Sequence, residues 1–151
     1  MRTAAFTLGV LLMTASLAQA HVTVWPQESK AGAGERYTVR VPTEGKVTTT
    51  EIELEVPADV RVSGVLVGGG FTYDLRRDGD RIVAVTWKQD IKPGEYGEFV
   101  FFAVNPKAAG PVAWKVHQRY VDGTSADWTG VEGDRRPASV TRITASRNTK
   151  D

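Results

Sequence analysis

His21 directly follows a short run of small residues, and this position gives it a chemistry that an internal histidine lacks. Ala18-Gln19-Ala20 has the small-residue pattern of a cleavage site for exported proteins. Cleavage after Ala20 would free the α-amine of His21. That amine and the imidazole Nδ1 of the same residue can close one chelate ring on a metal ion. The sequence therefore predicts a metal ligand that is created by processing.

The first 20 residues have the three regions of a signal peptide. Arg2 supplies the positive charge, residues 4–13 form the apolar segment, and the cleavage site follows. The apolar segment is about half of the roughly 20 residues that a membrane-spanning helix requires. We predict a signal peptide over residues 1–20, a single domain over residues 21–151 and a periplasmic location for the mature protein.

The side chains of the mature chain restrict which metal it could hold. The sequence has no cysteine, and its two methionines, Met1 and Met13, both lie in the predicted signal peptide. Any metal site must then be built from nitrogen and oxygen, which suit Cu(II), Zn(II) or Ni(II), and Cu(II) binds such ligands most tightly. An α-amine titrates near 7.7–8.0, so binding should weaken as the pH falls.

The charge balance argues against polyanionic partners. Arg2 is the one charged side chain before His21, so the 19 Lys and Arg of the whole chain become 18 in the mature chain, against 18 Asp and Glu. A net charge of zero without clustered basic residues predicts neither nucleic-acid binding nor binding to an anionic membrane. The missing cysteines also mean that the domain has no disulfides and depends on its apolar core.

Alternation of apolar and polar residues predicts short β-strands along most of the mature chain. Val22 and Val24 alternate with His21, Thr23 and Trp25, which places the valines inward. Residues 27–35 are polar and contain glycine, so they are predicted to form a loop. Residues 99–104 are predicted to form a strand covered on both faces, and the alternation over residues 112–121 predicts one continuous strand. About eight strands with a turn signal every 8–12 residues predict an all-β fold, an immunoglobulin-like antiparallel β-sandwich, with a closed barrel as the alternative.

Several other residues have both a structural and a functional interpretation. His117, the only other histidine, alternates with Lys115 and Arg119, which favours a surface residue over a metal ligand. Glu28 is an ordinary loop carboxylate by its pattern, and Asp127 is a competing carboxylate beside Trp128. Trp87 and Trp114 fit alternating faces and are predicted to be in the core, whereas Trp25 and Trp128 lie outside the regular pattern.

Several motifs along the mature chain resemble one known family. HVTVWPQES at residues 21–29, RYTVRVP at 36–42, KPGEYGEFVF at 92–101 and the later Y-x-D-G and D-W-T-G segments are similar to the YcnI-like copper-binding domain, formerly a domain of unknown function. The resemblance covers essentially all of the mature chain, and its two ends are the most specific parts.

This resemblance implies an immunoglobulin-like sandwich that binds a Cu(2+) ion, that is Cu(II), as its cofactor through a monohistidine brace. The amine and Nδ1 of the first mature residue, a nearby carboxylate and a late tryptophan surround the metal in such a site. On this chain the corresponding residues are His21, Glu28 and Trp128. Some members of the family carry a C-terminal membrane helix, and the sequence ends at Asp151 without one, so we expect a soluble periplasmic form.

The leading functional prediction is a copper chaperone or buffer that is not an enzyme and is a monomer. Its partners would be the copper ion and either a membrane copper transporter or a second periplasmic copper carrier. A copper-dependent oxidative enzyme is one alternative, although the single brace histidine and the lack of Met or Cys to hold Cu(I) argue against it. The other alternative is an adhesion or interaction module in which His21 has no role in metal binding.

Overall fold

Alternation of apolar and polar side chains produces strands, as predicted, and the described residues form twelve of them where the pattern indicates about eight. The computed structural model describes residues 21–146, so the predicted signal peptide lies outside the described residues and stays a prediction. The described residues form β1 (Thr23–Trp25), β2 (Glu28–Lys30), β3 (Gly34–Pro42), β4 (Thr49–Glu55), β5 (Arg61–Val65), β6 (Thr72–Asp78), β7 (Arg81–Ile91), β8 (Tyr96–Val104), β9 (Gly110–Trp114), β10 (Val116–Tyr120), β11 (Ser125–Trp128) and β12 (Ser139–Thr144).

The strands are arranged in three sheets with the orders β1-β3-β8-β5, β11-β10-β4-β7-β6 and β2-β12-β9. Strand pairing is antiparallel except between β2 and β12, which run parallel. Each sheet has two edge strands, so the chain forms an antiparallel sandwich and the barrel alternative is wrong. No helix within residues 21–146 has the length and apolar character needed to cross a bilayer.

The core lies between the sheets and is rich in aromatic side chains. Trp87 and Trp114 are fully buried, which confirms their predicted place in the core. Val22 and Val24 are also buried, whereas Trp25 is 41% exposed. The two valines thus anchor the N-terminal segment to the sandwich, next to His21.

Three local predictions are corrected by the tertiary structure. Residues 27–35 are not all loop, because Glu28–Lys30 forms β2 and pairs with β12 near the end of the domain. The continuous strand expected over residues 112–121 is interrupted at Lys115, so that β9 and β10 belong to different sheets. Phe102, in the strand predicted to be covered on both faces, is 39% exposed.

Candidate metal centre

The N-terminal segment is held on both sides by backbone and hydroxyl contacts. β1 pairs with β3 so that Thr23 lies opposite Arg40, and His21 lies two residues before this first pair. On the other side, the Val24 N–H donates to Ser139 Oγ at 2.8 Å. The Thr141 hydroxyl donates to the Pro26 carbonyl at 2.8 Å. These contacts hold the segment in place, and His21 is exposed at its start.

The structure brings together two of the three predicted site residues, His21 and Trp128. Trp128 ends β11 opposite Val116 of β10 and is 7% exposed. Its ring centroid lies 5.5 Å from that of the His21 imidazole, and the two planes are inclined at 56°. This is aromatic contact distance. The first residue of the predicted mature chain thus packs against a tryptophan from the last third of the domain.

Glu28, the third predicted site residue, lies at the start of β2. It is exposed, while the next residue, Ser29, points inward and is 7% exposed. Its strand partner is Arg142. Glu28 lines neither of the cavities that His21 and Trp128 line, so its role as the carboxylate ligand stays a prediction.

Two other carboxylates share a cavity with one member of the His21–Trp128 pair. Glu44 lines a cavity of about 230 Å³ together with Pro42, Gln118 and Trp128. Glu132 lines a groove of about 630 Å³ together with His21. Neither residue can be recognised as a candidate from the sequence, because both lie in polar loops, where no alternation indicates the neighbours of a side chain.

His117 lies on the outer face of the five-stranded sheet, between two carboxylates. Its Nδ1 is 2.6 Å from Asp127 Oδ1 and its Nε2 is 2.6 Å from Glu55 Oε1. Burial alone would lower the pKa of His117, but the hydrogen bonds to Asp127 and Glu55 and the charges of both carboxylates outweigh it and raise the pKa. The side chain of Asp127 points away from the face that Trp128 occupies, since neighbouring strand residues point to opposite sides. His117 and Asp127 therefore belong to a different surface from the His21–Trp128 pair.

The described residues contain no conventional metal cluster. Within residues 21–146, no three His, Asp or Glu side chains converge in a way that could hold a metal ion. A brace at His21 does not require such a cluster, because its first two nitrogens come from one residue. The donor set of an α-amine, an imidazole and one carboxylate fits a Cu(II) ion, which favours nitrogen and oxygen ligands when thiolates are missing.

Comparison with known proteins identifies the family. The family described as "Domain of unknown function (DUF1775)" matches residues 21–143, so the match starts at His21. The chain belongs to the DUF1775 family. This confirms the YcnI-like resemblance that the end motifs indicated, and it covers the domain that carries both His21 and Trp128.

The most informative relative of this DUF1775 chain is the copper-binding protein CutI of Bacillus subtilis (strain 168). The two sequences are 37% identical over 147 residues, which are 95% of this chain and 72% of CutI.

Solved structures confirm the immunoglobulin-like fold. A Nocardia farcinica protein with an immunoglobulin-like fold superposes with a TM-score of 0.69 at 29% identity, covering 82% of this chain and 98% of that one. A non-cellulosomal cohesin from Archaeoglobus fulgidus has a TM-score of 0.52 at 16% identity, covering 82% of this chain and 90% of that one, and it shows the fold alone.

Proposed function

We propose that the mature chain binds one Cu(II) ion at its N-terminus through the α-amine and Nδ1 of His21. The observation that carries this proposal is the ring contact between His21 and Trp128, with centroids 5.5 Å apart. The relative CutI is named a copper-binding protein, which supports copper as the metal.

The chemistry of the mature chain favours Cu(II) over Cu(I) as the bound ion. The chain offers no thiolate or thioether after residue 20, and these are the ligands that Cu(I) selects. Trp128 covers one side of the imidazole and limits access to the metal from that side. A carboxylate completes the site and offsets part of the charge of the ion, and Glu28, Glu44 and Glu132 are the three candidates.

We propose transport or buffering of copper in the periplasm rather than catalysis. One brace histidine, exposed at the edge of the domain, leaves coordination positions open for transfer to a second ligand set. A membrane copper transporter or a second periplasmic carrier is the proposed recipient, and the chain acts as a monomer. Protonation of the α-amine below its usual pKa of about 7.7–8.0 competes with the metal, so copper is held less tightly at acidic pH.

The decisive experiment adds one glycine in front of His21. Mature protein that begins at His21 and the extended protein are compared by Cu(II) competition titration and electron paramagnetic resonance. The extension converts the amine into an amide, so we expect a large loss of affinity and a changed spectrum, with an unchanged urea unfolding curve. Equal affinity in the two proteins would refute the brace.

A thermal test separates metal binding from an accidental histidine. A ligand that binds the native state raises the melting temperature, whereas an adhesion module without a metal site would melt at the same temperature with and without Cu(II). The glycine-extended protein is the matched control, because it has the same core and differs only at the amine.

The carboxylate is identified by three matched variants, Glu28→Gln, Glu44→Gln and Glu132→Gln. Each keeps the side-chain length and removes the charge. We expect the ligand variant to weaken Cu(II) binding about tenfold or more and to alter the paramagnetic spectrum. Glu98→Gln is the control, because Glu98 pairs with Arg40 at 2.8 Å on β8 and lines neither cavity. If Glu28→Gln behaves like that control, the prediction of Glu28 as a ligand is wrong.

A further inference from the structure

Gln118 is a buried amide in which both polar atoms are used. It lies in β10 and is 1% exposed. Its Nε2 donates to the Pro42 carbonyl at 3.0 Å and to Thr49 Oγ1 at 2.7 Å. Its Oε1 accepts from the Trp128 indole Nε1–H at 3.1 Å.

These partners fix the orientation of the amide. The indole N–H can only donate and the Pro42 carbonyl can only accept, so a rotated amide would place like groups against each other at both ends. Burial makes such a mismatch costly, because no water replaces the lost hydrogen bonds. Gln118 therefore holds the indole nitrogen of Trp128 at one point.

Trp128 is a buried core residue that borders a cavity on one side. Trp128 and Gln118 both line the cavity of about 230 Å³ that also contains Glu44. An aromatic ring beside a cavity has fewer fixed neighbours on that side than a ring in a close-packed core. On that side the hydrogen bond to Gln118 is the contact that restrains the orientation of the indole.

Gln118 also connects the two sides of the candidate site. Pro42 ends β3, the strand that pairs with β1 just after His21, and Trp128 contacts the His21 ring. Thr49, the third partner, shares a hydrogen bond of 2.8 Å with the neighbouring Thr43. One side chain therefore bonds both to β3, the partner strand of β1, and to the ring that contacts His21.

We propose that Gln118 is a positioning residue for the copper site, which acts by holding the Trp128 indole against His21. This inference rests on the proposed function for its effect on copper, but its geometric part concerns the metal-free protein. A residue without an acceptor at position 118 frees the indole, and the ring then turns toward the cavity and away from the imidazole.

The test is a double-mutant cycle on the mature protein with Gln118→Met and Trp128→Phe. We expect Gln118→Met to weaken Cu(II) binding about tenfold and to change the paramagnetic spectrum. In the Trp128→Phe background the same change should have no further effect on affinity, because the group that Gln118 holds is missing. Gln89→Met is the control, since the Gln89 amide donates to the Gly69 carbonyl at 3.2 Å on the exposed surface.

A second variant and a metal-free measurement keep the proposal falsifiable. Gln118→Glu, when its buried carboxyl is neutral, keeps an acceptor for the indole and one donor for the Pro42 carbonyl. In the metal-free protein it should therefore keep the ring contacts of wild type, which gives a readout if Gln118→Met fails to fold. In the metal-free protein, nuclear Overhauser contacts between the His21 and Trp128 rings should be present in wild type and lost in Gln118→Met.

The possible failures are distinguishable. If Gln118→Met unfolds at lower urea concentration but keeps the affinity, spectrum and ring contacts of wild type, Gln118 is only a structural residue and the inference is overturned. If the glycine extension leaves copper binding unchanged, the proposed function fails, and the ring contacts in the metal-free protein still decide whether Gln118 positions Trp128.

Discussion

Replacing Tyr37 by phenylalanine removes one oxygen from a buried polar cluster that joins three parts of the fold. The Tyr37 hydroxyl donates to Asn105 Oδ1 at 2.6 Å. Asn105 Nδ2 donates to Ser29 Oγ and to the Lys30 carbonyl, both at 2.8 Å. The cluster ties β3 and the segment after β8 to β2, the strand that carries Glu28.

The expected loss of stability follows from burial. Tyr37 is 0% and Asn105 is 3% exposed, so the substitution leaves the Asn105 oxygen without its donor in a site closed to bulk water. An unsatisfied buried acceptor costs about 1–3 kcal/mol. For a domain of this size we therefore expect the melting temperature to fall by about 4–10 °C. Such a change is a substantial part of the 5–15 kcal/mol that is typical of whole domains.

The effect should depend on pH in the alkaline range. Burial, with a contribution from the charge of Glu35, raises the pKa of Tyr37 to about 12. An unfolded tyrosine ionises near pH 10, so between pH 10 and 12 the unfolded wild type is stabilised by losing a proton that the folded state keeps. Phenylalanine has no proton to lose. The stability advantage of wild type over Tyr37→Phe should therefore shrink as the pH rises above 10.

Urea unfolding at pH 7 and pH 11 measures both effects. Tyr96→Phe is the matched control, because Tyr96 is 66% exposed and the same atom is removed from the surface. If Tyr37→Phe is as stable as Tyr96→Phe at pH 7, the hydrogen bond between Tyr37 and Asn105 does not stabilise the fold.

Three further outcomes are expected. His117 has a raised pKa between Glu55 and Asp127, so its contribution to folding stability is complete below about pH 6.5 and is lost as the pH rises through the raised value. The stability difference between wild type and His117→Gln, about 0.5–1 kcal/mol by urea unfolding, should therefore be larger at pH 5.5 than at pH 9. A difference that stays constant with pH would contradict this. Gly130→Ala should destabilise by about 1–3 kcal/mol in urea, because its Cβ would lie 3.1 Å from the Arg136 carbonyl and collide with the Asp134 side chain, whereas Gly34→Ala, with open space, should be nearly neutral. Cu(II) should quench tryptophan fluorescence mainly through Trp128, so Trp128→Phe should remove more of the quenching than Trp25→Phe, and equal losses would argue against binding at His21.

Local sequence was sufficient for properties that depend on composition and alternation. The missing cysteines and the position of both methionines before His21 are facts of the chain itself. Inward-facing Val22 and Val24 and buried Trp87 and Trp114 followed from period-2 alternation, because a half-buried strand sorts its side chains at every second position. The all-β sandwich follows from the same pattern repeated between turn signals.

Only the tertiary structure decided which distant residues meet. Trp128 contacts His21 because β11 ends close to where the N-terminal segment begins, and no local sequence pattern predicts this contact. The pairing of Glu28 with Arg142 likewise joins the two ends of the domain. In the sequence Gln118 is one polar residue in an ordinary strand. Only the folded structure shows that it is buried and accepts a hydrogen bond from the Trp128 indole. Alternation reports the face on which a side chain lies, whereas the contacts across the sandwich depend on how separate strands pack together.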